Sequence, residues 1–283
     1  MRTNGVSLAV REWPGEEPSL LLIHGLASTS HIWDLVAPRL APKFRVVAFD
    51  QRGHGLSGKP SSGYGFDRIC ADAAAVIRSK RTSRPVVVGH SWGANVALEL
   101  AVRRPRLVAG LVLLDGGFLS MRDRFDWATA REQLAPPDLA GVTFDDFRRQ
   151  ITRFMRDELD LTPEIEAVFR SLVRVDRAGF IHPRLSRANH LRIVRALWEQ
   201  DTHELLRRVR VPTFVLGVRP KAKGDTDPNT AGFLREKERS AAVVREIGLP
   251  LRFAWLEGIH DIPLQRPALV ARRIGAFARE AVG

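Results

Sequence analysis

One ten-residue stretch constrains the fold more than any other: Val86-Val87-Val88-Gly89-His90-Ser91-Trp92-Gly93-Ala94-Asn95. An apolar run without alternation reads as a strand buried on both faces. It passes through Gly-x-Ser-x-Gly straight into Ala94–Ala101, a small-residue segment of helical character. The same alternation recurs along the chain. Ser19–Ile23, Arg45–Phe49, Pro85–Gly89, Leu107–Leu114, Thr213–Gly217 and Leu251–Leu256 read as buried strands, and Val6–Arg11 alternates as an edge strand would. Ile32–Leu40, Asp67–Ser79 and Trp92–Val102 have helical spacing. Near the end, Val270, Ile274, Phe277 and Ala281 form one apolar stripe. Strands alternating with helices in this way build an α/β architecture around a mostly parallel sheet.

The regularity breaks between about Phe118 and Leu205. Pro-Pro and Arg/Asp/Glu-rich sequence surrounds amphipathic stretches such as Phe144–Met155 and Leu191–Leu197, with no good strand. Such a stretch is too polar for the sheet interior, so it is expected to sit as an all-helical lid, 118–205, over a core formed by 1–117 and 206–283.

The 283 residues are 45% apolar, enough for a sizeable core, and no apolar run approaches the ~18 residues of a membrane span. The first fifteen residues lack a signal-peptide pattern, so a cytoplasmic location is expected. The single cysteine, Cys70, excludes an intrachain disulfide and a cysteine-rich zinc site. It reads as an inert core thiol. Net charge is +12, but 38 of the 44 basic residues are Arg, dispersed beside Asp and Glu with no recognition motif. That pattern argues for a solvated surface and against nucleic-acid binding.

The chemistry concentrates at three loops. In the first, the turn between strand and helix holds Ser91 in a strained conformation and aims its hydroxyl from the head of the helix. In the second, Leu20-Leu21-Leu22-Ile23-His24-Gly25-Leu26, a strand ends in His-Gly. The backbone N–H groups of Leu26 and Trp92 are the natural pair of donors for a developing oxyanion. His24 orders that loop. The third, Asp50-Gln51-Arg52-Gly53-His54-Gly55-Leu56-Ser57, reads as a rigid loop held by its own hydrogen bonds.

Taken together, His24-Gly25, the Asp50–Ser57 loop, Gly89–Gly93 and the C-terminal His260 resemble the α/β-hydrolase superfamily. The nearer likeness is to its lidded branch of esterases, haloperoxidase-like enzymes, C–C hydrolases and epoxide hydrolases. The resemblance spans the chain outside 118–205. It implies a mostly parallel eight-stranded sheet flanked by helices, with the lid after the sixth strand, Leu107–Leu114. It also implies a Ser–acid–His triad, an oxyanion hole, no cofactor and no metal. The family's chain order makes Ser91 the nucleophile and His260 the base.

The acid departs from the common pattern, because Leu216-Gly217-Val218-Arg219-Pro220 carries no Asp. The candidates are Asp115, directly after Leu111-Val112-Leu113-Leu114, and then Asp225 and Asp227 in a Gly/Pro/Asp-rich insertion. A strand end holds an orienting carboxylate better than a loop does, which favours Asp115 over Asp225, with Asp227 third. The structural role open to Asp115 is to cap the segment that follows.

A serine at position 91 argues against the carboxylate-nucleophile chemistry of epoxide hydrolases and haloalkane dehalogenases. The lone Tyr64, outside the lid, does not supply the paired lid tyrosines of the epoxide route. The expected activity is hydrolysis of an ester, lactone, thioester or amide of a small, mainly apolar molecule through an acyl-enzyme. Phe118, Phe125, Trp127, Phe147, Phe154, Phe169 and Trp198 are candidate pocket residues, each with core packing as its alternative; His31 and Trp33 lie just past the oxyanion loop. The alternatives are a C–C hydrolase or lyase using the same triad, or a catalytically silent binding protein.

Overall fold

The structure is a computed structural model and describes residues 1–80, 82–155, 158–220 and 228–282. Eleven strands are assigned there, β1 (Arg2–Thr3), β2 (Val6–Ser7), β3 (Val10–Trp13), β4 (Leu20–Ile23), β5 (Val46–Phe49), β6 (Val86–His90), β7 (Gly110–Leu114), β8 (Val173–Val175), β9 (Ile181–Pro183), β10 (Thr213–Arg219) and β11 (Leu251–Glu257). Seven form the central sheet in the order β11-β10-β7-β6-β4-β5-β3. Every pair in it is parallel except β3 with β5.

The apolar runs have no polar face because both faces of the sheet are covered. Leu21, Ile23, Val87, Leu111 and Leu113 pack into one cluster with the helices Phe66–Ser79 and Trp92–Arg103. Leu20, Leu22, Val86, Val88, Val112 and Leu114 pack on the other face with Trp33 and the helix Pro267–Val282. The period of two along each strand divides the core between the two layers.

Two expectations are corrected. The sheet has seven strands where eight were expected. The first residues form their own hairpin, β1–β2, and leave the sheet at Leu8–Ala9. There the Ala9 N–H donates to Ser57 Oγ (2.9 Å) and the Gly58 N–H to Ser7 O (2.7 Å), so the Asp50–Ser57 loop takes hydrogen bonds that an eighth strand would need. The segment after β7 is also not all-helical, since β8 and β9 pair antiparallel within it. Their hairpin is built on Asp176, whose Oδ1 accepts from the Ala178 and Phe180 N–H groups (both 3.0 Å), and on Gly179 at φ +87°. The short β-branched runs flanking the turn are hidden within charged sequence. Among the described residues, no helix is long and apolar enough to cross a membrane.

This topology decides where a site can form. The chain leaves β4 for β5 on one side, and β6 lies on β4's other side, so the sheet order reverses between β4 and β6. The crevice at the carboxyl ends of strands flanking such a reversal is left open for a ligand. His24-Gly25-Leu26 leaves the end of β4, and Ser91 leaves the end of β6.

Candidate active site

Ser91 follows β6 directly and caps the helix Trp92–Arg103 with φ 54° and ψ −126°, in the left-handed half of conformational space. A residue other than glycine held there stores roughly 1–3 kcal/mol of strain. The surroundings enforce it. Its N–H donates to Leu114 O (2.9 Å), and its carbonyl accepts from the Ala94 N–H (2.9 Å). The two glycines of the motif answer a close approach of backbones: a Cβ at Gly89 would stand 2.2 Å from Gly93 O, and one at Gly93 would stand 2.3 Å from Ile23 O.

The β4 loop lies against the serine. A Cβ on Gly25 would come within 3.1 Å of Ser91 Cβ and 3.5 Å of its Oγ. Beyond it, the Ala27 N–H donates to His54 Nε2 (3.2 Å), whereas the Leu26 N–H finds no acceptor among the described residues. The Trp92 N–H opens its helix and likewise has no acceptor among the described residues, as the first amides of a helix lack intrahelical partners. The two expected oxyanion donors are thus unpaired backbone amides on the two loops that flank Ser91.

Asp115 follows β7, the neighbour of β6, and its backbone is also left-handed at φ 46°. Its buried carboxylate accepts from the Val218 N–H on Oδ1 (2.9 Å), from His260 Nδ1–H on Oδ2 (2.7 Å), and from Lys237 Nζ on both oxygens (2.8 and 3.0 Å). Although burial pushes this carboxyl up, the hydrogen bond and charge of His260, together with Lys237, hold it down at about 2. It is an anion at neutral pH. Asp225 and Asp227 lie outside the described residues.

His260 sits in the loop after β11, and because its Nδ1–H is spent on Asp115, Nε2 is left as the acceptor. Crowding of the ring by protein disfavours the imidazolium, but the side chain keeps 54% of its surface exposed, and the Asp115 hydrogen bond and charge prevail. The net effect raises His260 above its ordinary value. His90, the residue before Ser91, supports it from below. Its Nε2–H donates to His260 O (2.8 Å), and the two rings lie 4.8 Å apart. Burial, then the nearby His260, lowers His90 to about 4, so it stays neutral.

The other polar loop residues are spent on structure. Asp50 accepts from the Ser30 and Leu56 N–H groups (both 2.8 Å), and His24 Nε2 accepts from the Gln51 N–H (3.0 Å). Arg52 forms a buried two-point pair with Asp72 (2.6 and 2.9 Å). His54 is lowered to about 3, chiefly by burial. Cys70 is a free, buried thiol raised by that burial. Trp33 packs edge-on behind His90, and His31 is tied to Asp34 (2.8 Å). The aromatic candidates divide. Phe118 is fully buried against Phe253, Trp127 and Trp198 stack beneath Arg195, and Phe154 stands 84% exposed. Sequence reasoning missed Lys237, which lies within Arg-Glu-Lys-Glu-Arg and reads as a solvated charge run. Among the described residues no cluster of side chains fits a metal ion.

A seven-stranded, mostly parallel sheet with a serine turn at its reversal point is the α/β-hydrolase fold, and a family model of that description matches residues 18–143. The chain has the α/β-hydrolase fold, and the family resemblance in sequence lies in residues 18–143. It is 39% identical over 110 residues to a 2-(acetamidomethylene)succinate hydrolase of Mesorhizobium japonicum, a match covering 39% of each chain. The aligned stretch thus spans about two fifths of that relative's length. Across nearly the whole chain, the fold matches the crystal structure of E-2-(acetamidomethylene)succinate hydrolase (TM-score 0.73, 24% identity, 98% of this chain and 96% of the other). It also matches an enol-lactonase from Burkholderia xenovorans (TM-score 0.69, 19% identity, 98% of each chain).

Proposed function

We propose that the protein is a serine hydrolase that cleaves an ester, lactone, thioester or amide of a small, mainly apolar molecule through an acyl-enzyme on Ser91. The observation that carries this reading is the Asp115–His260 hydrogen bond on a histidine seated over the residue next to Ser91. A serine hydroxyl is a weak nucleophile at neutral pH and needs a base. As Ser91 Oγ bonds to the substrate's carbonyl carbon, its proton passes to His260 Nε2. Asp115 keeps the imidazole in the tautomer that can accept it, then faces the imidazolium that results. The carbonyl oxygen becomes an anion held by the Leu26 and Trp92 amides, where one such donor is worth about 2.7–4 kcal/mol of barrier. His260 returns the proton to the leaving group, and water, activated the same way, releases the acid and restores Ser91.

Two relatives fit this range of bond types, since one hydrolyses 2-(acetamidomethylene)succinate, an amide, and another is an enol-lactonase. Alkyl-enzyme chemistry needs a carboxylate where this chain has Ser91. We also propose that residues 118–205 act as the lid. Three ties from this segment to the core support that reading: Ser171 Oγ to Thr29 Oγ1 beside the oxyanion loop (2.6 Å), Asn189 Nδ2 to Tyr64 Oη (2.8 Å) and Asn95 Nδ2 to Gln200 Oε1 (2.7 Å). The reading is tested with a panel of p-nitrophenyl esters, lactones and thioesters. Turnover by the native chain that is lost in Ser91→Ala supports it, and turnover unchanged in Ser91→Ala rejects it.

A further inference from the structure

The catalytic steps above use a serine, a histidine, an aspartate and two amides, and none of them calls for a cation. Yet Lys237, on the helix Pro228–Ile247, is buried to 5% exposure with its ammonium against Asp115. Burying an ammonium costs several kcal/mol unless every proton finds a partner. Here all three do: Asp115 Oδ1 at 2.8 Å, Asp115 Oδ2 at 3.0 Å and Val218 O at 2.8 Å. The Phe233 ring covers the cation at 4.9 Å, and Arg124 lies on the same ring at 4.2 Å. Asp115 therefore faces two basic groups at once, Lys237 from the helix and His260 from the loop after β11.

We propose that Lys237 is a positioning residue whose ammonium clamps both carboxylate oxygens of Asp115 and offsets part of the negative charge that His260 faces. The inference rests on the serine-hydrolase reading for its catalytic meaning. Geometry supplies the clamp. With Lys237 spanning the two oxygens and the Val218 N–H fixing Oδ1, the carboxylate has one orientation, and Oδ2 points at His260 Nδ1. Charge supplies the offset. The groups facing His260 are Asp115 from the end of β7, Asp261 from its own loop, Lys237 from the helix and the neutral His90 ring from the end of β6. Asp115 and Asp261 favour the imidazolium, and Lys237 opposes it. Without that opposition the base would hold its proton to higher pH and spend more of the neutral range unable to accept one from Ser91.

The test is an NMR titration of the His260 imidazole in the full chain, without substrate, for the native protein, Lys237→Gln and Lys237→Met. Lys237→Gln keeps hydrogen-bonding capacity without the charge, and Lys237→Met keeps only the bulk, so a folded sample of either decides the matter. The expected result is an upward move of the His260 midpoint by roughly half a unit to one unit. The acid limb of the kcat/KM profile should move with it, and Lys237→Arg should restore the native midpoint if it folds. A midpoint unmoved in the folded neutral variants, with activity lowered equally at all pH, would make Lys237 a structural residue only and overturn the inference. Because the titration needs no turnover, failure of the native chain to hydrolyse any acyl substrate would count against the proposed function and leave this result standing.

Discussion

Asp115 Oδ2 lies 2.7 Å from His260 Nδ1 across 145 residues of chain, and the acid is held at the end of the strand beside Ser91's own. Replacing the carboxylate by an amide keeps its size but removes the charge and leaves the His260 tautomer unfixed. Asp115→Asn is therefore expected to lose kcat on the order of 10⁴-fold, by analogy with other triads, while keeping native circular dichroism. A loss under tenfold in a folded variant would remove Asp115 from the acid position.

The pH profile follows from the two groups. In the proposed mechanism His260 must be neutral to take the Ser91 proton, and the Asp115 hydrogen bond and charge raise it above its ordinary 6.5 despite its crowded ring. Activity is expected to fall as pH drops through a midpoint above 6.5, read as kcat/KM against pH. The raised imidazole stabilises the fold below its unfolded value, and that contribution is lost as pH rises through the folded one. Asp115 runs the other way. Lowered from 3.8 to about 2, it contributes on the order of 2 kcal/mol above the unfolded value, lost as pH falls towards 2. Acid unfolding of Asp115→Asn should lack that slope.

Much of this was legible in the chain because it is written in local patterns. The strand-turn-helix around Ser91 needs only an apolar run, two glycines and a small-residue helix, and each is contiguous. The pairing of Asp115 with His260 was accessible because a strand end next to β6 is a fixed point, whereas the usual acid position carries Val218 and Arg219. Val218 instead lends its N–H to Asp115, which no one-dimensional pattern records. Lys237 was hidden for the same reason. Its neighbours along the chain, Arg235, Glu236, Glu238 and Arg239, are all charged, and only the packing of that helix against β10 and β11 turns one lysine inward. The β8–β9 hairpin was missed because three-residue strands around an Asp-Arg-Ala-Gly turn carry too little periodicity to stand out from the helices around them.

Two glycines separate site from scaffold. In Gly93→Ala the new Cβ meets Ile23 O at 2.3 Å and His24 O at 2.6 Å, backbone atoms that cannot step aside. Its melting temperature is expected to fall sharply, corresponding to roughly 3 kcal/mol or more. Gly25→Ala meets Ser91 Cβ at 3.1 Å and its Oγ at 3.5 Å, a tight but yielding contact. That variant should stay folded and lose at least about tenfold in kcat, since small misplacement of reacting groups is costly. Equal melting temperatures for the two variants would contradict this division.

Arg52→Met probes the Asp50–Ser57 loop, which the sequence presents as a rigid scaffold. It leaves Asp72 buried with Asn4 as its remaining side-chain partner. The expected loss of stability, from urea unfolding, is about 3–5 kcal/mol. Where the variant is folded at low temperature, its kcat should remain within a few-fold of native. A selective loss of kcat in a fully stable variant would assign Arg52 a part in the chemistry.

The nucleophile is tested most directly by a fluorophosphonate probe with intact-mass and peptide readout. The native chain should gain one adduct per molecule, located on Ser91 within Gly89-His90-Ser91-Trp92-Gly93, and Ser91→Ala should gain none. Labelling that persists in Ser91→Ala, or a folded native chain that takes no label at all, would contradict an acyl-enzyme on Ser91.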